Sequence, residues 1–326
     1  MVTPDYYDKF KCIGSACKNN CCCGAWEIEV DDEALSRFNR IEGEFGKRVL
    51  DSINDENVFI HKNGRCPMLM DNGLCEMVCR GEDLCVICDE YPRFTQYFDD
   101  YAERGISLSC EAAAKIILDN QSKVCLVGDS GECDEPIFRM LYNARTKIFG
   151  ILQNRDEDIL KRIRLVLDYG RALQDKINEN DFSDFTYIPR DTKSGDRDLT
   201  EIFRFMQTLD ILDDKWRDML KKAAEAENSE NSHMYDTVLV EQLAIYFVYR
   251  YFLTGVFDCD PFSKLKFMAV SVMAIIAMGD ICGGIYESAR LYSIEIEHNE
   301  DNVDAFYDEF LFNDSFSIDN MINLIK

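Results

Sequence analysis

Residues 267–278 read FMAVSVMAIIAM and form the most apolar stretch of the chain. A helix that crosses a membrane needs about 20 apolar residues, and this stretch is too short. It therefore predicts a helix buried in a protein core, and we expect no membrane partner. The first residues, MVTPDYYDKFKC, contain no apolar run of the kind found in a secretory signal. We therefore expect the chain to be cytoplasmic.

The sequence around this stretch is helical in pattern, because apolar residues recur at every third or fourth position. The predicted helices cover residues 137–152, 159–173, 199–220, 237–253 and 261–278, with shorter helices from residue 286 on. We expect the first two to pack as a hairpin, and we interpret residues 178–198 as a loop and 225–232 as a linker. Strand patterns are confined to residues 26–30 and 58–61. The predicted fold class is mainly α.

Glycines that could bind a phosphate group are nearly absent. The stretch GDICGG at residues 279–284 follows a predicted helix and not a strand. We interpret it as the end of that helix, since a nucleotide-binding glycine loop joins a strand to a helix. The sequence does not predict a Rossmann-type fold.

The charge balance argues against nucleic acid as a partner. The chain has 326 residues, with 36 Lys and Arg against 61 Asp and Glu, which gives a net charge of −25. A surface that neutralises phosphates would carry the opposite sign. The excess predicts a solvated acidic surface that also attracts basic protein substrates.

The cysteines are concentrated near the amino terminus. Thirteen of the 15 lie between Cys12 and Cys133. In a cytoplasmic chain thiols stay reduced unless they bind a metal or have a redox role. We therefore predict two domains: an irregular cysteine-rich metal-binding domain with little strand at residues 1–125, and a helical domain at residues 126–326.

The spacing of Cys85 and Cys88 is suited to a metal. Two intervening residues allow both sulfurs to approach one ion at about 2.3 Å, as in zinc and iron–sulfur knuckles. A disulfide framework is disfavoured by the odd number of cysteines and the missing secretory signal. Zinc and an iron–sulfur cluster both fit, and the spacing does not separate them.

Four ordered motifs within residues 6–114 resemble the flagellin lysine-N-methylase family. They are YDKFKCIGSAC at residues 7–17 with the adjacent cysteines and WEIEVD at 26–31; CPML and DNGLC at 66–75; LCVICDEYPR at 84–93; and SLSCEAA at 107–113. The segments EQLAIYF at 241–247 and YSIEIEHN at 292–299 resemble the family more faintly. A wider group of cysteine-rich domains that chelate zinc or iron shares the same motifs.

The resemblance implies which cysteines bind the metal. Six match the wider group and three more match the methylases: Cys17, Cys21, Cys22, Cys66, Cys75 and Cys88, then Cys12, Cys85 and Cys110. Cys23 resembles a one-residue insertion, which leaves the adjacent pair as either Cys21–Cys22 or Cys22–Cys23. Cys79 is additional, and we interpret it as a packed thiol.

The resemblance also implies a function. We expect a protein lysine methyltransferase that transfers methyl groups from S-adenosylmethionine to surface lysines of flagellin. The preferred metal cofactor is an iron–sulfur cluster of the 4Fe–4S type, with zinc as the alternative. The competing hypothesis is a metal-binding or electron-transfer module without transferase activity.

Catalysis by such an enzyme requires a neutral amine. A lysine side chain with a pKa of about 10.4 is mostly protonated at neutral pH, so the site needs a base or a desolvating pocket. Carboxylates, tyrosines and His298 are candidate bases, and the sequence does not choose among them or identify the methyl-donor pocket. His298 lies among Glu295, Glu297 and Glu300, and we expect these carboxylates to raise its pKa.

Overall fold

The computed structural model describes residues 1–24, 27–190, 199–226 and 235–325. Helix accounts for 57% of the protein and strand for 8%. The prediction of a mainly α fold is confirmed.

The amino-terminal part combines short helices with a hairpin. Its elements are β1 (Thr3–Pro4), α1 (Asp32–Phe38), α2 (Gly43–Leu50), α3 (Glu76–Arg80), α4 (Val86–Glu90), β2 (Arg93–Phe98), β3 (Tyr101–Ile106), α5 (Glu111–Leu118) and β4 (Leu126–Val127), with 3₁₀ turns at Tyr7–Lys9 and Gly14–Ala16. β1 pairs antiparallel with β4, and β2 pairs antiparallel with β3.

The rest of the chain is helical. It contains α6 (Pro136–Leu152), α7 (Ile159–Asn178), α8 (Thr200–Met206), α9 (Asp214–Ala226), α10 (Thr237–Tyr251), α11 (Gly255–Asp258), α12 (Pro261–Cys282), α13 (Ile285–Tyr292), α14 (Glu300–Phe312) and α15 (Ile318–Leu324), with 3₁₀ turns at Phe252–Thr254 and Asp314–Phe316 and a π-helix at Ser293–Glu297. α6 and α7 pack against each other as predicted.

α12 is the central helix of the protein. It contacts α7, α9, α10, α13 and α14, and residues 265–279 are buried on every side. By length and composition α12 could cross a membrane, yet 83% of its most apolar window is buried inside the protein. The prediction of a core helix is confirmed. α12 ends at Cys282, and Gly283 caps it with a left-handed backbone conformation at a φ of 84°. The glycine-rich stretch therefore ends the helix, as predicted.

The prediction of one continuous helix over residues 199–220 is wrong. The helix is interrupted, because α8 ends at Met206 and α9 begins only at Asp214. The buried carboxylate of Glu295 accepts hydrogen bonds from the backbone N–H groups of Leu212 and Asp213, at 2.9 and 3.2 Å. These bonds hold a turn that a continuous helix would not allow. α9 also extends to Ala226, into the predicted linker, whose residues 227–232 lie outside the described ranges.

The hairpin of β2 and β3 was not predicted. Its register runs from Arg93 opposite Ile106 to Phe98 opposite Tyr101. Gly105 lies directly under the Phe94 ring, where any Cβ would overlap it. The strands predicted at residues 26–30 and 58–61 reduce, within the part of the chain that is described, to two isolated antiparallel bridges, Glu29 with Val58 and Phe59 with Ile53.

The described residues form two hydrophobic cores. The smaller one is built from α1, α2 and the loops up to α4, and it includes Cys66 and Cys85. The larger one surrounds α12 and also contains residues from both sides of position 125, among them Val2, Leu108 and Ile117. The division into domains at residues 125 and 126 stays a prediction.

Candidate functional site

Loops from three motifs meet at the smaller core. The Asn20 side chain accepts a hydrogen bond from Cys22 N–H and donates one to the Gly73 carbonyl, at 2.9 and 3.1 Å. Cys66 N–H donates to the Cys22 carbonyl at 2.9 Å. These bonds hold the first cysteine motif against the second, although the two are far apart in sequence.

Hydrogen bonds to Asp31 hold the third motif, residues 84–93, beside the first two. The Asp31 carboxylate accepts from Ala34 N–H at the start of α1 and from Val86 N–H at the start of α4, both at 2.8 Å. The bond from Val86 is the main reason that the pKa of Asp31 is lowered. Because Cys85 precedes Val86 as the N-cap of α4, this carboxylate sets the position of the Cys85–Cys88 knuckle.

Five of the nine predicted ligands, Cys22, Cys66, Cys75, Cys85 and Cys88, pack in this core, and the exposed Cys21 adjoins Cys22. Cys22 interacts electrostatically with Cys66 and Cys75, Cys88 interacts with Cys22 and Cys66, and Cys66 interacts with Cys21 and Cys85. Each of these interactions raises the pKa of the affected thiol, because thiolates repel one another. Burial is the larger cause at Cys66 and raises its pKa to about 11.

The two thiols of each neighbouring pair, Cys21–Cys22 and Cys85–Cys88, have pKa values shifted in opposite directions. The pKa of Cys21 is lowered to about 7 by a hydrogen bond from Cys22, and that of Cys85 is lowered to about 7 by a hydrogen bond from Cys88. The pKa values of Cys22 and Cys88 are raised by the same bonds. One sulfur of each pair is therefore readily available as a thiolate, the form that binds metals.

The other three predicted ligands lie together at the start of α5. Cys110 interacts electrostatically with Cys21 and Cys12, and burial raises its pKa. The Cys17 sulfur lies 3.5 Å from the Glu111 carboxylate, and burial, reinforced by that carboxylate, raises the pKa of Cys17 to about 12. Cys21 therefore stands between the two groups of thiols.

The donor chemistry suits a soft metal or an iron–sulfur cluster, since thiolates that repel one another are stabilised by a shared cation. Across the residues that the structure describes, however, no three His, Cys, Asp or Glu side chains form a ready metal-binding group. The thiols are gathered in one region, and the assignment of the nine ligands stays a prediction.

Two thiols of the same block lie apart from this cluster. Cys23 is exposed, and its backbone forms an isolated antiparallel β-bridge with Arg65. Its neighbour Cys22 makes the interactions with Cys66 and Cys75. Cys79 is also exposed, on α3. The interpretation of Cys79 as a packed thiol is therefore wrong, because its side of this short helix faces solvent.

His298 lies near the second thiol group, at the end of the π-helix. Its Nε2 atom is 2.7 Å from the Ser109 hydroxyl, and its ring centre is 6.2 Å from that of Tyr91. Tyr91 in turn donates to Ser109 at 3.1 Å and interacts electrostatically with Cys110 and Cys21. The imidazole, the tyrosine and the thiols therefore share one region.

The expected rise in the pKa of His298 is wrong. Desolvation by the surrounding protein, together with the Arg250 guanidinium, lowers this pKa to about 4. The neighbouring carboxylates are engaged elsewhere: Glu295 caps the turn before α9, and Glu297 binds Arg250. The His298 side chain is nevertheless exposed. We call this exposed ring, with the Tyr91 and Ser109 side chains beside it, the His298 site.

A buried polar network joins Glu297, the residue before His298, to α10. The Glu297 carboxylate accepts hydrogen bonds from the hydroxyls of Tyr246 and Tyr251, both at 2.9 Å, and pairs with Arg250 at 3.3 Å. Leu108 N–H approaches the Tyr246 hydroxyl at 3.4 Å. Sequence reasoning did not identify these roles, although two of the participants, Leu108 and Tyr246, lie in the segments 107–113 and 241–247.

Comparison with curated proteins gives distant relatives. The chain is 23% identical over 141 residues to the Lysine-N-methylase of Salmonella typhimurium strain LT2, which covers 39% of this chain and 34% of that protein. It is 23% identical over 167 residues to the Flagellar biosynthetic protein FliU of Salmonella muenchen, which covers 46% of this chain and 95% of that protein. The Lysine-N-methylase of Salmonella choleraesuis strain SC-B67 is also 23% identical over 141 residues.

The match spans about a third of the length of the two lysine-N-methylases. No protein-family profile matches the chain, and no solved structure matches it. The names of these relatives agree with the family that the four amino-terminal motifs resemble. The chain is thus distantly similar to proteins named Lysine-N-methylase and to a flagellar biosynthetic protein.

Proposed function

We propose that the protein is a lysine methyltransferase that transfers methyl groups from S-adenosylmethionine to surface lysines of flagellin. The observation that carries this proposal is the similarity to two proteins named Lysine-N-methylase. The name of the third relative, a flagellar biosynthetic protein, supports flagellin as the substrate. The net charge of −25 favours a protein substrate that presents lysines.

The thiol cluster is the proposed place of the metal. Cys22, Cys66, Cys75 and Cys88, with Cys21 and Cys85, would hold one centre, and Cys12, Cys17 and Cys110 lie on the other side of Cys21. A bound iron–sulfur cluster, or zinc, would supply a cationic centre that neutralises the thiolates and stabilises the smaller core.

The chain's own residues must present the substrate amine in neutral form. An ammonium group has no lone pair, so it has to lose a proton before it can attack the methyl group of a sulfonium donor. The His298 site is suited to this task, because the surrounding protein and the Arg250 guanidinium disfavour a second positive charge there.

The test is methyl transfer by the intact protein. We would purify the full chain without oxygen, measure iron, sulfide and zinc, and incubate it with flagellin and S-adenosylmethionine carrying a labelled methyl group. The proposal predicts label on flagellin lysines, located by mass spectrometry, and none when flagellin lysines are acetylated beforehand. A metal-loaded protein that labels no flagellin would contradict the methyltransferase and favour a metal-binding or electron-transfer module.

A further inference from the structure

A pocket of about 480 Å³ is formed by α6, α7 and the loop that follows α5. On α6, Gly150 and Ile151 lie three and four positions after Lys147, so these three lining residues share one face of the helix. The volume falls within the range of about 300–1,000 Å³ that is typical of small-molecule sites. None of the described residues that line the pocket belongs to the thiol cluster or to the His298 site.

Three basic side chains line this pocket, each from a different segment. Lys123 comes from the loop after α5, Lys147 from α6 and Arg162 from α7. Within the described part of the chain, neither lysine forms an ion pair with a carboxylate. Glu157, which also lines the pocket, is bound by Lys161 at 2.5 Å. The pocket is therefore positively charged, although the protein as a whole carries a net charge of −25.

Arg162 is buried and held in a fixed position. It is 3% exposed, and its Nη1 atom donates to the Glu241 carboxylate at 2.8 Å and to the Leu152 carbonyl. Among the described residues, its buried Nε atom has no hydrogen-bond partner. The Nε–Nη2 edge of a guanidinium is the edge that binds an oxyanion through two parallel hydrogen bonds. Because buried donors are nearly always bonded, this edge is suited to an acceptor that a ligand supplies.

Gly150 lines the pocket without contributing a side chain. A Cβ at this position would meet no atom within 4 Å, so packing does not require a glycine here. A glycine inside a helix is less stable than an alanine, which means that α6 keeps an unfavourable residue where the space is open. Ile151 and Leu165 line the same pocket and give it apolar surface.

The loop that carries Lys123 is held in place on both sides of this residue. Gln153 accepts a hydrogen bond from Val124 N–H at 2.5 Å and donates to the Val124 carbonyl at 3.3 Å. The Arg155 side chain donates to the Gln121 carbonyl at 2.9 Å. The backbone of Lys123 is thus fixed beside α6 before any ligand arrives, which lowers the entropy cost of binding.

We propose that this pocket binds a small molecule that carries a phosphate group. The free edge of Arg162 and the ammonium groups of Lys123 and Lys147 contact the phosphate oxygens. The organic part of the molecule packs on Ile151 and Leu165. A phosphate offers up to two negative charges and three acceptor oxygens, which matches three cations from three segments better than a carboxylate does. This binding does not depend on methyl transfer.

Isothermal titration calorimetry of the full chain at constant ionic strength is the first test. Inorganic phosphate should bind, phenyl phosphate should bind more tightly, and succinate should bind more weakly than either. Lys147→Gln should weaken phosphate binding on the order of 10-fold. Lys222→Gln, at an exposed lysine of α9, is the matched control and should leave it unchanged. A wild-type protein that does not bind phosphate, or equal weakening by both variants, would overturn the site.

Gly150→Leu tests the location without removing a charge. Leucine has a higher helix propensity than glycine, and the new Cβ meets no atom within 4 Å, so the variant should fold. Circular dichroism and thermal unfolding would check this. The leucine side chain should fill the pocket and abolish binding of phosphate and of phenyl phosphate. A folded Gly150→Leu protein that binds phosphate as tightly as the wild type would overturn the proposal, and succinate binding as tight as phosphate would overturn the assignment to a phosphate group.

Discussion

Cys66 and Cys79 belong to the same cysteine block but have opposite surroundings. Cys66 is buried in the smaller core and interacts with Cys75, Cys85 and Cys21. Cys79 is exposed on α3. The burial of a thiol therefore depends more on the loop or helix that carries it than on its position in the series of cysteines.

Cys66→Ser should lower the metal content and the stability of the purified protein. Binding energy is folding energy when ligands come from separate loops, and Cys66 lies where three motifs meet. Elemental analysis and the midpoint of thermal unfolding would measure both effects, and Cys17→Ser, Cys75→Ser and Cys88→Ser should behave alike. Cys79→Ser is the control and should change neither. If all four of these variants keep their full metal content, the assignment of these cysteines as metal ligands is wrong.

The substitution Glu295→Gln should abolish a pH dependence of the free energy of unfolding between pH 4.5 and about 7. Burial raises the folded pKa of Glu295 to about 7 from its ordinary 4.5. The folded protein thus keeps a proton that the unfolded chain releases above pH 4.5, so the free energy of unfolding should fall as the pH rises from 4.5 to about 7, by up to about 3 kcal/mol. Urea unfolding across this range would measure the slope. The exposed Glu56→Gln should retain it, and a wild-type protein without the slope would disprove the effect.

His298 shows why site chemistry was harder to predict than composition. The sequence places it among three glutamates, which indicates a raised pKa. In the folded protein Glu297 is bound by Arg250 and two tyrosines, and the histidine experiences the arginine more than the carboxylates. Sequence neighbours on a helix point in different directions, so they do not define the electrostatic environment of a side chain.

At the scale of elements, the long helices could be predicted because their apolar periodicity is strong. α6, α7, α10 and α12 begin and end close to the predicted positions. The break between α8 and α9 could not be read from the sequence, because the carboxylate that stabilises it comes from Glu295, far along the chain. The hairpin of β2 and β3 was missed because its strand β3 is buried at nearly every position, which removes the alternation of a half-exposed strand.

Gly170→Ala should destabilise the protein at the contact between α7 and α12. A Cβ at this position would overlap Leu265 Cδ1 and lie 3.2 Å from Phe262 Cδ2. Overpacking of a close helix contact costs about 1–3 kcal/mol. Chemical denaturation would measure this change.

Gly150→Ala is the matched control for that substitution. Gly150 lies inside α6, and a Cβ there would meet no atom within 4 Å. Because alanine has a higher helix propensity than glycine, the free energy of unfolding of this variant should rise by about 0.5–1 kcal/mol. A Gly170→Ala protein as stable as Gly150→Ala would show that Leu265 moves aside freely.

At the scale of the whole molecule, the cysteine block and the helices are joined by a shared core. Val2, Leu108 and Ile117 lie in the larger core with the helices around α12. The Gln96 side chain also donates to the Arg250 carbonyl at 2.6 Å. The cysteine pattern alone does not reveal this sharing, because it concerns apolar residues between the motifs.

A fragment of residues 1–125 should aggregate when it is produced alone. Separation at this position exposes the apolar residues that normally contact the helices. Co-production with residues 126–326 should restore a soluble complex that contains metal. Size-exclusion chromatography with elemental analysis would measure both preparations. A soluble, monodisperse fragment with full metal content would show that the amino-terminal part folds independently.

The attachment of the first residues has a consequence for the order of events during synthesis. Val2 forms a parallel bridge with Glu103, and its carbonyl accepts a hydrogen bond from the Tyr249 hydroxyl at 3.1 Å. After Val2 has been added, a ribosome that adds about 5–20 residues per second needs about 12 to 50 s to reach Tyr249. For that time the segment around Val2 lacks its final partner, so the cysteines beside it are open to oxidants and chaperones before the protein can close around them.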